Sequence, residues 1–113
     1  MKYYSKEETQ GIRSAFEKEV LLWDQVSTKR MFGCPCYKVN DRLFSFLVTK
    51  GIVITHLNQT DGEALALEHE SAFFNTGKKY VKNWLQISVH NVEGLKAIMP
   101  YVRKSYERAL QEV

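Results

Sequence analysis

Two cysteines separated by one proline are the residues of this chain best suited to redox or metal chemistry. Cys34 and Cys36 flank Pro35, and two thiolates at this spacing can hold a soft metal ion or close a strained, oxidising disulfide. A closed zinc site needs four ligands. The chain's histidines, at positions 56, 69 and 90, are isolated from the pair, so we predict no metal site within one chain. Redox sensing is one hypothesis for the two cysteines, and a metal shared between two copies of the chain is another. The default interpretation is that both are semi-buried structural residues at a bend.

Basic side chains form the second group of candidates. They occur on a predicted first strand, around a predicted turn, and in a later segment that also contains Tyr80 and Trp84: Lys29, Arg30, Lys38, Arg42, Lys78, Lys79 and Lys82. Lysine and arginine neutralise phosphates, and aromatic rings stack on unpaired bases. The set therefore defines a candidate nucleic-acid surface. The alternative is the solvated rim of a sheet, because lysines are mostly exposed in any protein.

The remaining acid and base candidates show no catalytic arrangement. Glutamates occur at positions 63, 68 and 70, and Tyr80 or Tyr101 could donate a proton. No spacing places a pair of them beside a nucleophile or a phosphate-binding turn. We predict no enzyme activity and no cofactor.

Length and composition favour one domain over residues 1–113. The chain has 113 residues, 44% of them hydrophobic, which is enough for one core and too few for two. The first residues lack the apolar region of a signal peptide, and no apolar run approaches the roughly 20 residues that cross a bilayer. We therefore expect a cytoplasmic protein without a membrane partner. A net charge of +3 permits an acidic partner without requiring one.

Helical spacing at both ends of the chain predicts two amphipathic helices. Ser5 and Glu8 form a capping-box pattern, and apolar residues then recur every three or four positions as far as Trp23. The final segment carries a longer stripe of the same kind, in which Pro100 either kinks the helix or begins its longer half. A third, short helix is predicted from Thr60 to about residue 69.

Between these helices the pattern changes to the alternation typical of strands. Residues 26–32 predict an edge strand, Gly33 and Pro35 should interrupt it, and Asn40 with Asp41 should form a turn. Further strands are predicted over residues 36–39, 42–48, 52–57 and 84–89. The order predicts an α+β fold: an antiparallel sheet of about five to six strands with an N-terminal helix, a short middle helix and a long C-terminal helix.

The strand over residues 42–48 is apolar on both sides. Leu43 and Leu47 lie on one side, and Phe44, Phe46 and Val48 lie on the other. A sheet with one solvent-exposed face needs apolar residues on only one of these sides. If all three helices lie on one face, a second copy of the chain could cover the other. A homodimer, or a contact with another protein, is therefore an alternative to nucleic-acid binding.

Several of these segments together resemble a known family. The segment Met-Phe-Gly at residues 31–33, Tyr37, Asn40 with its turn, and the sequence Leu-Phe-Ser-Phe at residues 43–46 are similar to the N-terminal domain of the TfoX/Sxy family. Later positions at 73–74, 77, 84 and 101–106 extend the resemblance over most of the chain. The segment from residue 81 to 89, followed by Ser105 and Tyr106, also resembles the related YjbR/MmcQ group.

The resemblance implies a non-enzymatic regulatory or binding module. TfoX-family proteins are linked to the transcriptional regulation of competence, and YjbR-like proteins have been proposed to bind DNA through wing-like hairpins. Two features differ from the TfoX pattern. The resemblance covers the N-terminal domain of those regulators and not their second, C-terminal domain, and Cys34-Pro35-Cys36 replaces the small, often glycine-rich segment that follows Met-Phe-Gly.

Overall fold

The computed structural model describes residues 6–31, 33–49, 51–69, 71–75 and 80–111, apart from the side chains of residues 6–9, 75 and 80–83. Within these ranges the chain forms three helices and six strands. Their order is α1 (Lys6–Val20), β1 (Val26–Met31), β2 (Cys34–Val39), β3 (Arg42–Val48), β4 (Gly51–Ile54), α2 (Gln59–Glu68), β5 (Ser71–Asn75), β6 (Tyr80–Ser88) and α3 (Val92–Gln111). The predicted α+β class is confirmed.

The six strands form one antiparallel sheet in the order β1-β2-β3-β4-β6-β5. The first four strands are neighbours in sequence and in space. The chain then passes through α2 and β5 before β6 returns to pair with β4. Strands β1 and β5 are therefore the two edges of the sheet.

The turn between β2 and β3 follows from two residues that tolerate left-handed backbone. Asn40 has φ of 50° and Asp41 has φ of 65°. Positive φ at both central positions is the requirement of the turn that matches strand twist in two-residue hairpins, and asparagine and aspartate enter this region more readily than most residues. The predicted turn is confirmed.

A β-bulge at Phe44 connects the sheet to α3. Tyr37 pairs with Ser45 and Lys38 with Leu43, so β3 has one extra residue, Phe44, at this point. The Phe44 carbonyl accepts a hydrogen bond from the Thr55 amide (3.2 Å) and one from the Ser105 hydroxyl of α3 (2.7 Å). A residue outside the regular ladder is thus fixed by the helix that covers it.

Side chains from the same chain cover both Phe44 and Phe46. The Phe44 ring lies 5.4 Å from that of Tyr106 on α3 and 6.2 Å from that of Trp23. The Phe46 ring packs edge-on against Phe74 of β5 and Trp84 of β6, at 5.2 and 5.5 Å. Residues 44–48 are all buried, so their burial requires no second copy of the chain.

Two helix boundaries differ from the sequence prediction. Helix α1 ends at Val20 rather than Trp23, because the amides of Leu22 and Trp23 bond carbonyls three residues back instead of four, which tightens the last turn. Helix α2 begins at Gln59 rather than Thr60, because the Asn58 side chain accepts the Asp61 amide at 2.7 Å and caps the helix. The predicted capping box at Ser5 lies outside the described residues.

Both prolines lie inside regular elements. Pro35 was expected to interrupt the sheet, but it belongs to β2 and pairs with Arg30 of β1. The ladder between β2 and β3 begins only at Cys36, so Pro35 has a strand partner on one side, and its missing amide proton costs the sheet little. Pro100 lies within the single helix α3, so the interpretation that it starts a separate helix is wrong.

Candidate functional site

The open edge of the sheet presents two of the predicted basic residues. Lys29 and Arg30 lie at exposed positions of β1, opposite Cys36 and Pro35 of β2. Successive side chains of a strand point to opposite faces, so these two cations lie on either side of the edge. Among the residues that the structure describes, neither forms an ion pair.

Lys38 of β2 adds a second cation to the Lys29 face of this edge. Its partner across the ladder is Ser27, two positions from Lys29, so the two lysines share a face. The Lys38 side chain is 23% exposed, and its ammonium lies 3.9 Å from the Asp41 carboxylate. Lys38 is thus partly screened, whereas Lys29 is not.

Arg42 has a structural contact instead of a free surface position. Its Nη1 donates to the Ala109 carbonyl at 3.4 Å, and Nδ2 of Asn40 donates to the Leu110 carbonyl at 3.4 Å. These carbonyls belong to the last turn of α3, where backbone acceptors lack helical partners and positive charge is favourable. The turn between β2 and β3 therefore supports the end of α3.

The remaining three lysines of the predicted basic set lie wholly or partly outside the described residues. Lys78 and Lys79 lie outside the described residues, and Lys82 lies on β6 with its side chain outside the description. Their role in a nucleic-acid surface stays a prediction.

Cys34 and Cys36 are buried free thiols on β2. The Cys36 thiol donates to the Cys34 carbonyl at 3.4 Å. Burial raises the pKa of each thiol to about 11, and for Cys36 a backbone hydrogen bond at Met31 and the nearby charges of Lys38 and Lys29 only partly oppose this. Since the thiolate is the reactive form, this environment favours the structural interpretation over redox sensing.

The acid and base candidates mostly have local structural partners. The Tyr101 hydroxyl donates to the Glu68 carboxylate at 2.8 Å, which raises the pKa of Tyr101. Nδ1 of His56 lies 3.0 Å from the Leu43 carbonyl. Glu70 and the Tyr80 side chain lie outside the description.

The described part of the chain contains neither a metal-ligand cluster nor a membrane-spanning helix. No group of three or more histidine, cysteine, aspartate or glutamate side chains there could hold a metal ion. No helix in the same residues has the length and apolar character to span a bilayer.

A groove between α2 and the β5 edge was missed by sequence reasoning. Its volume is about 410 Å³, and it is lined by Leu57, Asn58, Gln59, Gly62, Glu63, Ala66, Phe73 and Leu85. Gly62 and Ala66 are small residues one turn apart on α2, which leaves space above Phe73. This spacing is visible in the sequence, and so is most of the strand that carries Leu85, but local pattern predicts neither β5 nor the position of α2 beside the β5–β6 pair.

No family model, curated protein or solved structure matches the chain.

Proposed function

We propose that this chain is a non-enzymatic binding module, similar to the N-terminal domain of the TfoX/Sxy family, that contacts nucleic acid through its β1 edge. The observation that carries the proposal is the pair Lys29 and Arg30, exposed on an edge strand without an ion-pair partner among the described residues. A cation without a protein partner can neutralise a phosphate without first breaking an ion pair.

The geometry of the edge supports contact with the backbone more than reading of sequence. Lys29 and Arg30 project to opposite faces of one strand, so a phosphate chain that follows the edge can meet both. Lys38 extends the positive face on the Lys29 side. We therefore expect weak, salt-dependent binding with little sequence preference.

A charge-reversal experiment tests the proposal. The double variant K29E/R30E should weaken binding to a labelled duplex and to a labelled single strand, measured by fluorescence anisotropy at low and near-physiological salt. Each lost phosphate contact reduces the magnitude of the negative slope of log affinity against log salt by about 0.7 to 0.9. For the two substituted residues, we expect the magnitude of this slope to fall by between one and two.

The matched control is K18E/K96E, which changes net charge equally at two exposed helix positions. It should retain more of the wild-type affinity than the edge variant. Equal loss in both double variants would show that net charge alone is responsible. The absence of binding to either probe at low salt would overturn the proposal and leave a protein-interaction module as the alternative.

A further inference from the structure

We propose that the groove between α2 and β5 binds a small amphipathic cation, namely an apolar or aromatic body that carries a protonated amine. The groove lies beside the opposite edge of the sheet from β1. Its volume of about 410 Å³ is within the range of pockets that hold small organic ligands.

The floor of the groove is apolar and partly exposed. Phe73 of β5 and Leu85 of β6 are direct cross-strand partners, so their side chains are neighbours on one face. Leu85 is partly buried, but Phe73 remains 50% exposed. An apolar or aromatic group of a ligand that covers the exposed part of the Phe73 ring would remove apolar surface from water, which is favourable.

The wall of the groove carries one sign of charge. Glu63 is the single charged residue among the described residues that line it. The Glu63 carboxylate accepts a hydrogen bond from Nε2 of Gln59 at 3.1 Å, which orients it without neutralising it. The nearby Asp61 differs, because Lys104 pairs with it at 3.1 Å. Within the described residues Glu63 has no such cation, so a ligand amine would be complementary to it.

The opening above Phe73 depends on small residues of α2. A Cβ atom added at Gly62 would lie 3.2 Å from Cδ1 of Leu85, so the helix is close to β6 at that end. Ala66, one turn later, is exposed. A larger side chain at Ala66 should fill the groove without entering the core.

Three probes with the same aromatic body and different head groups test the proposal: phenethylamine, phenethyl alcohol and hydrocinnamate. Amide chemical-shift changes in the full chain report both the affinity and the location. We expect saturable binding with shifts around the groove, strongest for the amine and weakest for the carboxylate. E63Q should lower affinity for the amine by about two- to fivefold, as expected for a partly exposed pair, and leave the alcohol unchanged.

One variant that fills the groove and one that truncates its floor locate the binding site. A66L should remove saturable binding of the amine, whereas A97L, at an exposed helix position outside the lining, should not. F73A should weaken binding of all three probes, which keeps the test valid if A66L does not fold. The matched charge control is E19Q, at an exposed position of α1 outside the groove lining. Equal affinity for the three head groups, no saturable shift at the groove, or an effect of E63Q no larger than that of E19Q would overturn the proposal.

Discussion

Ser105 connects three parts of the molecule through one hydroxyl group. The hydroxyl donates to the Phe44 carbonyl at 2.7 Å and accepts the His56 amide at 3.0 Å, and the residue is fully buried. The Phe44 carbonyl has a second donor in the Thr55 amide, so the His56 amide depends more on Ser105.

S105A should therefore lower the free energy of unfolding by about 1–3 kcal/mol, the cost of leaving a buried polar group without its partner. Urea denaturation measures the change. S14A, at an exposed position of α1, is the control and should be neutral or slightly stabilising because alanine favours helix. A loss in S105A no greater than in S14A would mean that the bulge is held by other contacts.

The two thiols should react only at strongly alkaline pH in the folded protein. Their pKa is raised from 9.0 to about 11 by burial, so both stay protonated as the pH passes through 9, where thiols of an unfolded chain ionise. Alkylation by iodoacetamide should be much slower than in the denatured chain below pH 9, and the native rate should rise towards pH 11. Equal rates at pH 8 in the native and denatured chains would contradict protection by burial, and only a native rate faster than the denatured one would restore the redox hypothesis for Cys34 and Cys36.

At the scale of elements, the β2–β3 turn depends on backbone conformation more than on its ion pair. Asp41 has φ of 65°, and its side chain, 98% exposed, pairs with Lys38 at 3.9 Å. A β-branched residue is strongly disfavoured at positive φ, so D41V should lower stability by about 1–2 kcal/mol. D41N keeps a residue that tolerates this region and should change stability by less than about 1 kcal/mol, since an exposed pair contributes little. Stability is measured by thermal or urea unfolding. Equal losses of stability in D41V and D41N would instead show that the Asp41 carboxylate, and not the backbone conformation, is responsible.

This turn also shows which elements were predictable from sequence. Asn40 and Asp41 specify their own geometry, so the turn was found. The bulge at Phe44 depends on Ser105, 61 residues away, and no local signal marks it. Proline in a strand pattern predicts a break because it lacks an amide proton, and no local signal shows that the β2–β3 ladder begins only at Cys36.

The candidate sites, like the bulge, depend on tertiary contacts that local sequence does not show. Lys29 and Arg42 are equivalent as basic residues of predicted strands, but one is exposed at an edge and the other binds the end of α3. Strand register decides which face a residue occupies, and a shift of one position reverses it. The groove requires α2 to lie beside β5 and β6, so the sequence showed Gly62 and Ala66 without showing the space beneath them.

At the scale of the whole molecule, the two proposed surfaces are at opposite edges of one sheet. The nucleic-acid contact uses β1, and the ligand groove adjoins β5. Between them the core closes around β3, with Trp23 and Tyr106 against Phe44, and the β5–β6 pair against Phe46. Substitutions at one surface should therefore leave the other intact.

The contact between the β5–β6 pair and β3 should determine the stability of the whole molecule. Phe74 is 1% exposed, and its ring packs against Phe46 at 5.2 Å and Trp84 at 6.1 Å. F74A should lower the free energy of unfolding by about 3–5 kcal/mol, as expected for truncation of a buried aromatic ring. The neighbouring Phe73, 50% exposed, gives the matched control.

F73A removes the same number of atoms from the adjacent position and should cost about 1 kcal/mol or less, because much of that ring already contacts solvent. Urea denaturation followed by tryptophan fluorescence measures both variants, and Trp84 reports directly on the cluster around Phe74. Similar losses in the two variants would mean that β5 is held by its ladder to β6 and that the aromatic contact with β3 contributes little to closing the core.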